Sequence, residues 1–475
     1  MTQPIGRSSI GRGILATYFI SLNFTVFYPN FSIFVSLYRM GTPLCFPFAG
    51  KEPKETGRVK PGHNQQTTPL PCMKVSVILL FFCVTLPLLA QTEPMNYDDP
   101  FGPFQIVRSH LHPFQPYKAV RILEKADTSR IQNKDFYGQA WMTALCFCGE
   151  IRQKEEVGRK IRTPHRELTG KEMLAPSVVA EPARQKIVEE ARKTSVTMMN
   201  EAHLYPEHRV FVKSLLSDLY AIGYRHLCVE DLDLPSVAKD GWEHPQQTDG
   251  FYINEPAMGD LIREAVRIGF ELHSYDAPGS SRRDSLAACN LLRIHKKNPQ
   301  DKMLVFCGFA HNMEHRSSQC AASFFKQMSG VDPLTIDQTV YCEREQSVYY
   351  QQLIDYYHIK QPSVLMKKDT MLSMNRSVCD IQVVTPPTRY KKGRPDWWLR
   401  QDNRRVRQID PSFEQGIVTV YYWNEWVKFR YPVPVDVIRV DSACKKPVVL
   451  LPPQGTFVYE YADLTYKVLY RFVDR

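Results

Sequence analysis

Between Ser195 and about Glu343 the chain carries four short β-type runs, SVTMM, HLCVE, FELHSYD and KMLVFCGF, each followed by a helical pattern or a long connection. Strands separated in this way pair in parallel, with the crossover helices packed on the sheet faces. The spacing therefore predicts an α/β fold with a mainly parallel central sheet flanked by helices. Helix boundaries support it. Pro206 and Glu207 open the apolar stripe VFVKSLLSDLYAIGY, which Gly223 stops, and Glu255, Pro256 and Gly269 punctuate EPAMGDLIREAVRIGF in the same manner.

The flanks differ in character. YKAVRILEKAD and FYGQAWMTALCF have helical apolar spacing, which predicts a helical lead-in over 91–185, and no second copy at a fixed period suggests a solenoid. The charged, proline-bearing stretch 158–184 reads as a surface connection, and a helix over about 182–193 leads into the first strand. The α/β domain is expected over 186–370. From about Cys379 the runs DIQVV, GIVTVYYW and TFVYEYADLTYKVLY predict a smaller β-rich C-terminal module over 371–475.

With 475 residues, a sizeable core is affordable. From Met73 the sequence MKVSVILLFFCVTLPLLAQTEP has the layout of a signal peptide over 73–90, ending in a small-residue site after Ala90. Its apolar run is too short for a membrane span, and no cysteine at the cleavage point accepts a lipid. The expectation is an exported protein, periplasmic or secreted, without a stable membrane anchor after cleavage. A second apolar stretch, Ile14 to Leu37, is interrupted by Asn23, Pro29 and Asn30. Two export signals in tandem make little physical sense, so residues 1–72 are expected to be a non-native, disordered segment upstream of a natural start at Met73.

The first 90 residues hold eight of the 60 Lys/Arg and two of the 50 Asp/Glu, so the remainder carries a net charge of +4 rather than +10. With neither a clustered basic face nor an aromatic platform in that remainder, no nucleic-acid partner is expected. Nine cysteines remain beyond residue 90, an odd number without zinc or disulfide spacing, and Cys228 and Cys307 read as small core residues.

In an open parallel sheet, ligands bind beyond the carboxyl ends of the strands. Asn200, Glu201 and His203 stand at the first such end, Glu230, Asp231 and Asp233 at the second, Asp276 at the third, and His311, Asn312, Glu314 and His315 at the fourth. One acid before a helix is an ordinary cap or dipole partner. Carboxylates and imidazoles gathered at four successive ends must share protons, bind a cation or be neutralised by arginine. Ser280, Ser281 and Ser285 lack a nucleophile-elbow pattern, which argues against covalent catalysis. His208, His226 and His273 read as core or surface histidines, with His273 able to flank the site. Trp397 and Trp398 read as a hydrophobic anchor before a ring contact, and Lys391, Lys392 and Arg394 as solvated loop charges.

The motifs resemble a known superfamily. MNEAHLYPEHRVF is similar to the Gly-Glu-x-His signature of the erythromycin esterase, haem-uptake lipoprotein and Tiki-like superfamily, and HLCVEDL to its second glutamate strand. SSRRDSLAACNLLRI resembles its Arg-(Asp/Glu) helix and VFCGFAHNMEH its Gly-x-x-His strand. The resemblance covers about 195–345. Asn200 stands where the family has glycine and Ala287 where it has Met or Leu, and the one-residue gap between Glu201 and His203 is nearer to the haem-uptake and Tiki branches. Carried over by position, it implies catalytic Glu201, His203, Glu230 and His311, with Arg209 and Arg283 as the balancing cations; these two arginines, with Asp276 from the third strand end, are the candidates to bind substrate or oxyanion. A histidine backed by carboxylates takes a proton from water while a cation steadies the oxyanion. The implied activity is hydrolysis of an ester, amide or lactone in a small-molecule or peptide substrate. Two alternatives stand beside it: a haem, iron or small-ligand binding protein without turnover, and a metal-dependent peptidase. Cofactors stay open between none and a divalent metal or haem. A metal would draw its ligands from His203, His311, Glu201 and Glu230.

Overall fold

The apolar spacing of the lead-in produces four helices, α1 (Gly102–Ser109), α2 (Pro116–Glu124), α3 (Lys134–Phe147) and α4 (Ile151–Ile161), of which α1 has no counterpart in the sequence reading. Asn133 starts α3 by accepting the Phe136 N–H at 3.0 Å. The computed structural model describes residues 95–161, 173–233, 245–343, 347–373, 378–410, 414–441 and 446–474. The expected signal peptide at 73–90, the segment 1–72 and Cys444 lie outside these residues. Among the described residues no helix is long and apolar enough to cross a membrane.

The chain then alternates: β1 (Val178–Pro182), α5 (Ala183–Ala191), β2 (Val196–Glu201), α6 (Pro206–Ala221), β3 (Tyr224–Val229), α7 (Pro256–Ile268), β4 (Glu271–Ser274), α8 (Arg283–Lys297), β5 (Lys302–Gly308), α9 (Ala321–Ser329) and β6 (Leu334–Tyr341). After α10 (Val348–Tyr357) come β7 (Ser363–Lys367), β8 (Thr370–Met371) and β9 (Ile381–Val384). The large sheet runs β1-β7-β9-β6-β2-β5-β3-β4, with β8 on β7. From β9 to β4 every pairing is parallel, and the β1, β7 and β8 pairings are antiparallel. All four strands expected from the sequence are present, and β6 joins them. The run DIQVV, which reads as the start of the tail module, instead forms β9 beside β6.

Both faces of the sheet are covered, which explains why the strands read as nearly unbroken apolar runs. Met199, Leu227, Val229, Leu304 and Phe306 pack under α5, α6 and α7. Their neighbours in sequence, Met198, Cys228, Met303, Val305 and Cys307, point the other way against Ala288 and Leu291 of α8 and Phe325 of α9. The eight described cysteines are free thiols, and Cys228 and Cys307 lie in the core as expected.

The lead-in packs over the loop that follows β2. Leu204 and Tyr205 share a core with residues of α1, α2 and α3, and with Ile417 and Val437 of the tail. The tail comprises β10 (Tyr390–Lys391), β11 (Arg394–Pro395), α11 (Trp397–Gln401), β12 (Arg405–Gln408), β13 (Gly416–Tyr422), α12 (Trp423–Lys428), β14 (Asp436–Val440), β15 (Val448–Leu451), β16 (Phe457–Ala462) and β17 (Val468–Asp474). Its main sheet, β14-β13-β16-β17, is antiparallel. Trp397 and Trp398 are buried against Val210 and Ala257 and act as the anchor. Arg394 is not a solvated loop charge: it is buried and donates to Asp436.

Ion pairs bind the tail to α6 and α7. Arg263 grips Glu425 through Nε and Nη2, both at 2.7 Å. Arg404 donates to Asp260 and to the Val435 and Leu450 carbonyls, while Lys213 bridges Asp260 at 3.3 Å and Asp402 at 2.5 Å. Breaking a buried pair from one side strands the remaining charge. Arg404→Met is expected to lower unfolding free energy by about 3–5 kcal/mol, read by urea titration. Tryptophan fluorescence and helical circular dichroism should fall together, and a separate tail transition would contradict this docking.

Candidate active site

The carboxyl ends of β2, β5, β3 and β4, which are neighbours in that order, bring the expected residues together. Glu201 is the last residue of β2 and is 2% exposed. Its Oε1 lies 2.7 Å from His203 Nδ1. From the first turn of α6, Arg209 donates through Nε to Glu201 Oε2 at 2.6 Å and through Nη2 to Oε1 at 2.7 Å. Burial would raise the Glu201 carboxyl, but the charge and hydrogen bonds of Arg209, joined by those of His203, hold it down at about 2. Arg209 also reaches Glu255 Oε2 at 3.0 Å and the His203 carbonyl at 3.1 Å. With 1% of its side chain exposed, Arg209 positions Glu201 from beneath and is not the substrate or oxyanion contact expected from the sequence.

His203 is held by three neighbours, Glu201, Tyr252 and Phe309. Its ring stacks on Tyr252 with centroids 4.0 Å apart and meets Phe309 edge-on at 5.2 Å. Nδ1 is committed to Glu201 and Nε2 lies beside Gly308, while His203 lines an open cleft of about 800 Å³.

Glu230 follows β3. One oxygen accepts the Gly308 N–H and the other accepts Arg283 Nη2 at 2.6 Å. Arg283, at the start of α8, also grips Asp276 at 2.8 and 2.5 Å, and all three line the cleft. His311 Nε2 stands 3.8 Å from Glu230, and its Nδ1 is 2.6 Å from Asp284. Burial disfavours a charged His311, yet the Asp284 hydrogen bond and the Glu230 charge prevail and raise its pKa.

The two halves meet at Gly308. A Cβ on that residue would sit 2.4 Å from His203 Cε1 and Nε2 and 3.2 Å from Glu230 Oε2, so only glycine lets the imidazole lie against the end of β5.

Asp231, noted at the strand end but left outside the expected site, lines the same cleft and accepts the Tyr252 N–H at 2.6 Å. Burial pushes its carboxyl up to about 6, against the opposing effects of the Tyr252 N–H and His203. Asp284 was visible within the Arg-Asp pair, and Glu255 only as a helix start; Glu255 both caps Met258 N–H at 3.0 Å and holds Arg209. Tyr252 had no sequence signal. The lead-in supplies Phe104, Arg108 and His112 to the cleft wall.

The four residues expected to hold a metal are differently arranged. Both Glu201 oxygens are occupied by Arg209 and His203. Among the described residues the convergent ligand set is His226, Glu271 and His273 instead.

No family model matches the chain, and no curated protein does. Among solved structures, the type III effector HopBA1 is similar at 12% identity and a TM-score of 0.27, covering 44% of this chain and 98% of that one. A likeness at that score carries no argument about fold or activity.

The depressed Glu201 pKa has a measurable consequence. Its stabilisation is fully present above the ordinary carboxyl value of 4.5 and is lost as pH falls through about 2. Glu201→Gln should be clearly less stable than the parent at pH 7, with the gap closing between pH 4.5 and 2. Urea midpoints across that range read it, and a gap independent of pH would refute the assignment.

Proposed function

We propose that the protein is an exported hydrolase that activates water with His203 to cleave an ester, amide or lactone. The observation that carries this reading is the Glu201–His203 dyad at a cleft wall, with Nδ1 held at 2.7 Å and the carboxylate clamped by Arg209. A carboxylate on one imidazole nitrogen selects the tautomer whose other nitrogen accepts a proton. The resemblance of the four motifs to the erythromycin esterase and Tiki-like superfamily supports the same chemistry.

In this reading water in the cleft gives a proton to His203 Nε2 as its oxygen bonds to the substrate carbonyl carbon. Arg283, 34% exposed and braced by Glu230 and Asp276, faces the negative charge that develops on the carbonyl oxygen. As the tetrahedral species collapses and the bond to the leaving oxygen or nitrogen breaks, Asp231 in its protonated form supplies the leaving group with a proton, and His203 later returns its proton to Asp231 through water. The apolar wall of Phe104, Phe251 and Tyr252 fits an organic acyl or ring group.

The test is a screen of alkyl esters, lactones and peptide amides with the full chain, purified without added metal or chelator. For a confirmed substrate, His203→Ala should lower kcat/KM by roughly 10²–10⁴-fold. The limb of the pH profile that falls as pH rises through about 6 should disappear in Asp231→Asn. Ligand binding that needs His203 but yields no turnover in the parent would replace this reading by a binding protein, and chelator-sensitive peptide cleavage would replace it by a metallopeptidase.

A further inference from the structure

The exposed edge of the large sheet carries a second convergence of ligating groups. β3 and β4 pair in parallel with His226 opposite Glu271, and His273 follows Glu271 by two positions on the same face. His226 lies four residues before Glu230, roughly 13 Å along the strand at about 3.3 Å per residue, so this cluster is set apart from Glu230.

Three separations define it. His226 Nδ1 is 2.9 Å from His273 Nε2, Glu271 Oε2 is 3.5 Å from His226 Nδ1, and Glu271 Oε1 is 3.6 Å from His273 Nε2. A tetrahedral zinc ion with bonds of about 2.0–2.1 Å holds its ligand atoms roughly 3.3–3.4 Å apart. Each Glu271 oxygen lies within a few tenths of an ångström of that value from one of the two nitrogens, so rotation of the exposed carboxylate to present one oxygen to both, with a small rotation of the part-exposed His273 ring, completes the set. Without a cation, one of the two facing nitrogens must carry the proton between them.

We propose that His226, His273 and Glu271 form a binding site for a divalent transition metal of the zinc type, with one coordination position open to solvent. Two imidazoles and one carboxylate suit zinc, cobalt or nickel and not the all-oxygen preference of calcium or magnesium. The environment supplies the next layer. With Nδ1 on the metal, His226 Nε2 faces Asp301, whose Oδ2 is 3.7 Å away, so that a shift of about 1 Å completes the carboxylate–histidine–metal hydrogen bond that orients a ligating ring. That Nε2 is buried and has no hydrogen-bond partner among the described residues. The triad lines a cleft of about 620 Å³ that also contains Arg293 and Lys297. These cations oppose a bare metal ion and favour an anionic group, carboxylate or phosphate, in its open position. Ser274 and Asp276 belong to the walls of both this cleft and the catalytic one.

The test reads metal binding and not turnover, so it stands or falls independently of the hydrolase reading. The full chain, stripped with chelator and dialysed, is titrated with Zn²⁺ by equilibrium dialysis and with Co²⁺ by visible absorption. One Zn²⁺ per chain and intense tetrahedral Co²⁺ bands are expected. Affinity should fall by about 100-fold or more in His273→Gln and Glu271→Gln and by roughly 10–100-fold in Asp301→Asn, and should be unchanged in His203→Ala and His311→Ala. Glu271 is 53% exposed, so its variant keeps the fold even where a change at the buried His226 would not. Absence of binding, binding indifferent to His273→Gln and Glu271→Gln, or binding that depends on His203 would each overturn the proposal.

Discussion

A single buried guanidinium organises the carboxyl end of the sheet. Arg209, at the start of α6, holds the terminal carboxylate of β2, the capping carboxylate of α7 and the backbone carbonyl of His203. Neither Glu201 nor Arg209 is tolerable alone in a dry interior, because desolvation of an unpaired charge costs several kcal/mol. Burial is therefore bearable only in the paired geometry, and that geometry dictates where His203 lies. Stacking on Tyr252 and the edge of Phe309 complete its confinement. The result is an imidazole held in one orientation, the preorganisation that the proposed water activation would need.

The second half of the site obeys the same logic with more solvent access. Arg283 shares its charge between Glu230 and Asp276, while Asp284 holds His311. The halves are joined through the backbone, by the Gly308 N–H on Glu230 and by the space its missing side chain leaves for His203. The lead-in completes the cleft, and the tail keeps α6 and α7 in place through Arg263, Arg404 and Lys213. The residues that face the cleft thus rest on elements from most of the described chain.

The mainly parallel sheet and the gathering of acids and imidazoles at its strand ends were legible because period and position both expose them. The apolar runs named four strands, and the loop rule picked out Glu201, His203, Glu230, Asp276 and His311. What escaped was polar structure whose partners lie far off in sequence. β6, LTIDQTVY, reads poorly as a strand because it buries Thr335, Asp337, Gln338 and Thr339. Several of their partners lie far off in sequence: Asn200 accepts the Gln338 N–H at 2.8 Å and donates to Asp337 at 2.9 Å, and Thr335 pairs with Asp380. The same bonds account for Asn200 where the resembling family has glycine, since its side chain fastens β2 to β6. Arg394 was hidden for the same reason, as charge type in a sequence does not tell whether the partner is water or a buried acid, whereas Arg209 balances Glu201 as the motif resemblance implies. His226 and His273 read as ordinary histidines until the register of β3 and β4 placed them together.

The central claim is that Glu201, held by Arg209, fixes the proton of His203 on Nδ1. Nitrogen-15 NMR of histidine-labelled protein, with His203 assigned by substitution, measures this directly near neutral pH. The account predicts a protonated, strongly hydrogen-bonded Nδ1 and an unprotonated Nε2, with the preference lost in Glu201→Gln. A His203 that carries its proton on Nε2, or that interchanges freely between the two tautomers in the parent protein, would contradict it.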